Sequence, residues 1–266
     1  MTHIIALAQC GSLPDISANL MLAEHYILEA KAAGAILVVF PEYFMFPCTE
    51  DIQAYINNAQ AVDGCFTSRM KQLANRHKIW ILFGMNEKSD SSNDKKCYNT
   101  LVLLNSNGVI HGIYRKTHLF DAFNWQESSH TLPGDALFIP ISTPFGKLGL
   151  GTCYDLRFPE VARHAARLGA DLLIYPSAWV HGEQKVVQWK TLLAARAIEN
   201  TITVIGCSQY IQDTFIGQSY ACDPFGRVLA EGSEKQELLL VPVSSEVNEH
   251  ARRLIPSLNN MRKDLY

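Results

Sequence analysis

The chain has 266 residues, of which 48% are hydrophobic and 18% charged, and its formal net charge is −3. This composition predicts a folded globular protein with a sizeable core. The small negative charge gives no reason to expect nucleic acid or an anionic membrane as a partner, and no apolar run is long enough to span a bilayer.

Segments of strand and helix character alternate along the chain. The predicted strands are 4–8, 36–40, 79–85, 99–104, 109–114, 137–141, 147–151, 171–175, 201–207, 219–222, 228–230 and 237–243. The predicted helices are one capped by Ser17 or Asn19 and ended by Gly34, one over 66–77, one from Pro159 to Gly169, and one that carries Trp189 and ends near Asn200. A polar loop is predicted at 88–96. This alternation predicts a layered α/β fold, with residues 1–266 forming one domain.

The seven cysteines are scattered through the sequence and include no Cys-x-x-Cys pair. Neither a disulfide framework nor a zinc site is therefore expected, and a reducing cytoplasm is the favoured compartment.

Three predicted strands lead into residues with reactive side chains: Glu42, Lys116 and Cys153. Side chains at the ends of neighbouring strands can share one pocket. A carboxylate can act as general base, an ammonium can stabilise an oxyanion, and an activated thiol can act as nucleophile. The sequence therefore predicts a Glu–Lys–Cys catalytic site.

Cys153 lies between an apolar strand and the helix that follows Pro159. A position close to a helix N-terminus predicts a lowered thiol pKa, although most free cysteines are small buried hydrophobic residues. Glu42 favours a functional site, because burying an unpaired charge after an apolar run is costly. Taken singly, Lys116 and Glu127 also fit solvated surface positions.

A Ser/His/Asp-type arrangement is the alternative for the segment 151–155. Gly-Thr-Cys-Tyr-Asp partly resembles a nucleophile elbow, but Asp155 stands where that tight turn needs a second glycine. None of His164, His181 and His250 lies at an obvious strand end, so the Glu–Lys–Cys arrangement is preferred.

Several motifs in this order resemble the nitrilase superfamily of carbon–nitrogen hydrolases. They are Pro41-Glu-Tyr-Phe44, Tyr114-Arg-Lys-Thr-His-Leu-Phe-Asp121, Gly151-Thr-Cys-Tyr-Asp-Leu-Arg-Phe-Pro-Glu160, Tyr175-Pro-Ser-Ala178, Leu193 to Asn200, Asp223 to Gly226 and Arg262 to Tyr266. The resemblance covers nearly the whole chain. It implies a four-layer α-β-β-α sandwich, no metal or organic cofactor, and a homodimer or higher oligomer. Exposed helix faces, such as one around Trp189 and Leu193, are expected to form the contact.

The resemblance also implies roles for individual residues. Glu42 would be the general base, Lys116 the electrophilic stabiliser and Cys153 the nucleophile. Glu127 would be the second glutamate that positions substrate and lysine, and the Tyr154 backbone N–H would help to bind the oxyanion. The residues expected to line the substrate pocket are Tyr43, Phe120, Tyr154, Ser177, Ala178 and Trp179, with Phe123 as a further wall.

The omega-amidase and deaminated-glutathione amidase branches are the most similar. Tyr154-Asp155 follows the nucleophile as in these amidases, whereas true nitrilases usually carry Trp-Glu there. The loop 180–188 departs from both branches, because it lacks their Thr-Gly-Pro-Ala-His stretch.

The substrate predicted from this resemblance is a small linear amide, by preference an omega-amide of a short dicarboxylic acid such as alpha-ketoglutaramate. Deaminated glutathione and N-carbamoyl amines or amino acids are the alternatives. A nitrile, or an inactive member that serves as an interaction module, is less favoured.

Overall fold

The structure is a computed structural model that describes residues 1–89, 95–262 and 264–265. The first half of the chain contains β1 (His3–Gln9), α1 (Ile16–Ala32), β2 (Leu37–Val39), α2 (Ile52–Asn57), α3 (Cys65–His77), β3 (Trp80–Lys88), β4 (Cys97–Leu104), β5 (Ile110–Arg115), β6 (Asp121–Ala122), β7 (Trp125–Gln126), a 3₁₀ turn (Glu127–Ser129) and β8 (Thr131–Leu132).

The second half contains β9 (Ile141–Thr143), β10 (Gly146–Leu150), a 3₁₀ turn (Cys153–Arg157), α4 (Pro159–Arg167), β11 (Leu172–Ser177), α5 (Lys185–Asn200), β12 (Thr203–Ser208), β13 (Tyr210–Ile211), β14 (Phe215–Ile216), β15 (Tyr220–Cys222), β16 (Val228–Glu231), β17 (Glu237–Val243) and α6 (Ser245–Leu254).

The strands form two large sheets. The first has the order β17-β1-β2-β3-β4-β5, with β8 also paired to β4, and β1, β2 and β3 run parallel. The second has the order β16-β15-β12-β11-β10-β9, and β10, β11 and β12 run parallel. The parallel strands of each sheet lie at its centre, where apolar residues can be buried on both faces.

Successive side chains along a strand point to opposite faces of the sheet, so each strand contributes to two different apolar layers. In β1, Ile5 and Leu7 contact the second sheet, whereas Ala6 and Ala8 lie under helices α1 and α3. Small residues on the helix-facing side let a helix lie close to the sheet. These side chains form one apolar layer between the first sheet and its helices and another between the two sheets. A further apolar layer packs α4 and α5 on the outer face of the second sheet. The predicted four-layer α-β-β-α sandwich is confirmed.

The N-terminal cap of α1 differs from the prediction. Asp15 is the cap, and its carboxylate accepts hydrogen bonds from the backbone N–H groups of Ser17 (2.8 Å) and Ala18 (3.1 Å). Asn19 is buried one turn inside the helix, where its side chain donates to the backbone carbonyl of Met45 at 3.0 Å. It therefore anchors the segment that follows Glu42.

The strand predicted at 137–141 is wrong, because this sheet edge begins only at Ile141. Pro140 has no N–H to donate to a strand ladder, and Ile139 is exposed to solvent. The short helices α2 and α6 were not predicted, because they have only six and ten residues and so offer few helical repeats to recognise. Most of the loop predicted at 88–96 lies outside the described residues.

The helix face proposed for a contact between subunits is also wrong in detail. Trp189 and Leu193 are fully buried against the second sheet of the same chain. The exposed apolar side chains of α5 are instead Val187 and Ile198. Among the described residues, no helix has the length and apolar character needed to cross a membrane.

Candidate active site

Lys116 lies between two buried carboxylates at the end of β5. Its Nζ is 3.0 Å from Glu42 Oε1 and 2.8 Å from Glu127 Oε2. The three side chains are only 1–2% exposed. Burying three charges is tolerable only when each is paired and hydrogen-bonded, and the contacts in this cluster meet that condition.

The opposite charges in this cluster shift the pKa values of Lys116 and Glu127 and keep both groups ionised. Burial alone would lower the pKa of Lys116, but the negative charges of Glu127 and Glu42 outweigh it and raise that pKa well above its usual value. Burial would raise the pKa of Glu127, but the charge and hydrogen bonds of Lys116 outweigh it, so the pKa is lowered. Lys116 is therefore an ammonium and Glu127 a carboxylate at neutral pH.

Glu42 is held by donors from both sheets. Its Oε1 accepts from Asn99 Nδ2 at 2.7 Å, and its Oε2 accepts from the backbone N–H of Ala178 at 2.7 Å. Its backbone carbonyl accepts from Gln209 Nε2, also at 2.7 Å. Because Asn99 belongs to the first sheet and Ala178 follows a strand of the second, the carboxylate is fixed across the seam between them.

The chain turns sharply after Glu42 and passes close to β3. Tyr43 has a φ of 58°, in the left-handed region. A Cβ at Gly84 would lie 2.7 Å from the Tyr43 nitrogen and 2.9 Å from the Glu42 Cα, closer than real Cβ contacts. Gly84 therefore lets the Glu42 segment lie directly against the sheet.

Glu127 is oriented by groups on the loop before it and on the Glu42 segment. It accepts hydrogen bonds from the Tyr43 hydroxyl and the Phe120 backbone N–H, both at 2.7 Å. Asn99 Nδ2 reaches it at 3.2 Å, so this one amide contacts both carboxylates. Tyr43, predicted to line the substrate pocket, has its hydroxyl occupied by Glu127.

Cys153 begins the 3₁₀ turn after β10 and has a φ of 45°, unusual for a residue with a side chain. Burial and the charge of Glu42 raise the pKa of its thiol well above the usual value, and the opposing effect of Lys116 is smaller. The lowered pKa predicted from the helix N-terminus is therefore wrong. The thiol is protonated at rest, and it lies close enough to Glu42 for the two groups to interact electrostatically, so Glu42 can take up its proton.

Asp155 ties the Cys153 turn to the segment after Lys116. It is fully buried, and its carboxylate accepts from the Tyr114 hydroxyl at 2.8 Å and from the Thr152 backbone N–H at 2.9 Å. Its Oδ1 also lies 2.7 Å from His118 Nδ1. The thiol and the ammonium come from different sheets, so Asp155 fixes their separation.

Sequence reasoning missed Asn99 and Asp155 as functional residues. For Asn99, the available signal was a polar side chain within a largely apolar strand. For Asp155, it was an aspartate three residues after Thr152, the spacing of a capping box. Neither pattern identifies the distant group that the side chain contacts.

The remaining predicted pocket residues differ in what they present to the site. Phe120 and Tyr154 are partly exposed, and their ring centroids are 5.1 Å apart in an edge-to-face contact. Ser177 is buried and its hydroxyl donates to the Tyr175 carbonyl at 3.2 Å. Trp179 is buried, and its Nε1 donates to the Lys185 carbonyl at 3.0 Å.

The arrangement supports acyl transfer to a thiol. The described residues contain no group of three or more histidine, cysteine, aspartate or glutamate side chains placed to hold a metal ion. The side chains close enough to Cys153 to act on its thiol include the Glu42 carboxylate and the Lys116 ammonium.

The chain is similar in sequence to known carbon–nitrogen hydrolases. The model of the carbon-nitrogen hydrolase family matches residues 4–253. The chain is 36% identical to deaminated glutathione amidase of Rattus norvegicus, over 99% of this chain and 83% of that protein. It is 35% identical to omega-amidase NIT3 of Saccharomyces cerevisiae, over 98% of this chain and 94% of that protein.

Solved structures show the same fold. The NitFhit protein of C. elegans superposes with a TM-score of 0.92 at 32% identity, covering all of this chain and 66% of that longer one. An amidase from Nesterenkonia sp. AN1 superposes with a TM-score of 0.84 at 27% identity, over 99% of this chain and 95% of that one. It was solved as a Glu-to-Gln mutant with an acetamide moiety covalently added at its active-site cysteine. From its sequence match over nearly the whole chain, this protein belongs to the carbon–nitrogen hydrolase family.

Proposed function

We propose that this protein is a thiol amidohydrolase that cleaves a small linear amide through a thioester on Cys153. The observation that carries the proposal is the Glu42–Lys116–Glu127 cluster, buried beside a protonated thiol. The family consists of hydrolases of carbon–nitrogen bonds, and both relatives named above are amidases.

In the first half of the reaction, Cys153 Sγ attacks the amide carbonyl carbon while Glu42 takes the thiol proton. Negative charge develops on the carbonyl oxygen, where the Lys116 ammonium and the Tyr154 backbone N–H stabilise it. Glu42, now a carboxylic acid, returns the proton to the leaving nitrogen. Ammonia or an amine departs and the thioester remains on Cys153.

In the second half, water attacks the thioester carbon and Glu42 accepts a proton from that water. The tetrahedral intermediate collapses to a carboxylic acid, and the Cys153 sulfur leaves and regains its proton from Glu42. Glu127 acts as a positioning residue, because its two oxygens hold the Lys116 ammonium in place. All proton transfers therefore pass through one carboxylate.

The favoured substrate is an omega-amide of a short dicarboxylic acid, such as alpha-ketoglutaramate. The name of the yeast relative supports this class, and the Tyr154-Asp155 pair after the nucleophile supports an amide over a nitrile. The second candidate is deaminated glutathione, because mammalian and bacterial relatives carry that name.

Product release should be measured for alpha-ketoglutaramate, deaminated glutathione, an N-carbamoyl amine and a simple nitrile. We expect alpha-ketoglutaramate to give the largest kcat/KM. A larger kcat/KM for the carbamoyl compound would keep the mechanism and change the substrate. A larger value for the nitrile would refute the amidase assignment, and no turnover of any compound would point to an inactive interaction module.

We also propose that residues 1–266 act as one domain, that the protein forms a homodimer or higher oligomer, and that it works in the cytoplasm on a small molecule. The exposed Val187 and Ile198 on α5 support a contact between subunits, and a self-complementary contact closes a dimer. Sedimentation that shows only monomer at micromolar concentration would count against the oligomer.

A further inference from the structure

Lys185, the first residue of α5, is a buried cation without a charged partner. The residue is only 6% exposed, yet its ammonium makes no ion pair or hydrogen bond with any residue that the structure describes. The Nζ lies instead over the ring of Phe123, 4.0 Å from its centroid, and 5.6 Å from the centroid of Phe120. Aromatic faces attract a cation but do not neutralise it.

This position is unfavourable for stability in three ways. Burial of an uncompensated charge is costly, and a lysine in the first turn opposes the positive end of the helix dipole. A second cation, Arg157, lies nearby, fixed by a 2.6 Å hydrogen bond to Gln188 and stacked on Trp179. Burial and the charge of Arg157 together lower the pKa of Lys185.

The first turn of α5 thus carries positive charge and no acidic side chain. The helix has sixteen residues, no side-chain cap and no acidic residue in its first turn. Its free N–H groups add to the positive potential of Lys185 and Arg157. An anion that entered here would meet an ammonium, a guanidinium and a helix N-terminus.

This cationic corner, formed by Lys185, Arg157 and the first turn of α5, adjoins the reactive thiol. The Phe120 ring under Lys185 contacts Tyr154, which directly follows Cys153. The thiol and the Lys185 ammonium are close enough to interact electrostatically. A small molecule whose amide carbon is at Cys153 can therefore place its other end against Lys185.

We propose that Lys185 binds a carboxylate carried by the substrate away from the scissile amide, which makes it the residue that selects anionic amides. The inference rests on the amidase function proposed above and narrows its substrate class. Lys185 lies in the segment 180–188, which lacks the Thr-Gly-Pro-Ala-His stretch of the branches that the sequence resembles.

The test compares two amides of equal length, succinamate, which carries a carboxylate, and butyramide, which carries a methyl group in its place. Lys185→Met keeps the apolar stem over the Phe123 ring and removes the charge, whereas Lys185→Arg keeps the charge. Lys190→Met is the matched control, because Lys190 lies on the same helix but forms a surface ion pair with Glu231.

We expect Lys185→Met to raise KM for succinamate by about 10- to 100-fold, the usual range for losing a charged hydrogen bond, with a change of less than about threefold in kcat. KM for butyramide should change by less than about threefold. Lys185→Arg should recover most of the lost affinity, and Lys190→Met should match the wild type on both amides. Competitive inhibition by succinate should weaken in parallel with KM.

Equal loss on both amides, or an unchanged KM for succinamate, would overturn the role of Lys185 while leaving the amidase function intact. If wild-type protein hydrolyses neither amide nor any compound in the wider panel, the amidase function itself fails and the inference with it. The unfolding temperature gives an independent check, because removing a buried unpaired charge should raise it. A lower unfolding temperature combined with equal loss on both amides would assign Lys185 a structural role.

Discussion

Lys116→Met tests whether one ammonium neutralises two buried carboxylates. Lys116 Nζ contacts Glu42 and Glu127 at 3.0 and 2.8 Å, and methionine fills a similar volume without the charge. Removing one partner of a buried ion pair typically costs about 3–5 kcal/mol, because the remaining charge stays buried and unpaired. For a chain of this length each kcal/mol lowers Tm by about 2–4 °C, so we expect a loss of roughly 6–20 °C at pH 8.

The loss should depend on pH in a definite direction. In the wild type the lowered pKa of Glu127 contributes stability that is present above its unfolded pKa and lost as pH falls through the folded value. In Lys116→Met, burial and the neighbouring carboxylate instead raise the pKa of Glu127 above its unfolded value. The variant should therefore be nearer to wild type at pH 5 and lose stability as pH rises toward 8.

The assay is thermal unfolding of both proteins at pH 5 and pH 8, with Lys190→Met as the control. The Lys190–Glu231 pair has side chains 27% and 46% exposed, so its removal should cost at most about 1 kcal/mol at either pH. A Lys116→Met variant with wild-type stability at pH 8, or with a loss that does not change with pH, would refute the account of the cluster.

Three further variants test the proposed chemistry. Cys153→Ala should abolish turnover and leave Tm close to wild type, because the thiol is the proposed covalent centre; substantial hydrolysis by this variant would exclude the thioester mechanism. Glu42→Gln should block acylation, since the protonated thiol then lacks its base; a rapid acylation burst in mass spectrometry would show that another group takes the proton. Gly84→Ala should reduce kcat by about tenfold or more, because its Cβ displaces the backbone of Glu42 and Tyr43; wild-type kcat would contradict the need for that close contact.

Much of the fold was predictable because the buried strands carry unbroken apolar runs. The apolar run before Glu42 predicted a strand and indicated that the Glu42 carboxylate would be buried. In the structure, Glu42 is only 1% exposed. The strand ends also indicated which reactive residues could meet. The predicted strand at 137–141 was wrong because a local apolar run does not show whether its N–H groups find a partner.

The less predictable features all depend on distance between segments far apart in sequence. The pKa of Cys153 depends on Glu42, which is 111 residues earlier in the chain, and local position suggested the opposite direction. Asn99 joins two carboxylates from different loops. The spacing of residues along the sequence does not show which distant residues contact one another. These features could therefore be identified only in the folded structure.

The apolar layer between the two sheets also has a consequence for rate. Lys116 and Cys153 are attached to opposite sheets, so the thickness of this layer sets how far the ammonium is from the thiol. Cys207 is one of the residues in this layer, and its Sγ lies 3.3 Å from the carbonyl oxygen of Val39 on the facing sheet. Packed interiors transmit strain, so a larger residue there would push apart reacting groups that it never touches. The residues of this layer therefore influence the reaction rate. Substitutions in the layer should reduce kcat before they prevent the protein from folding.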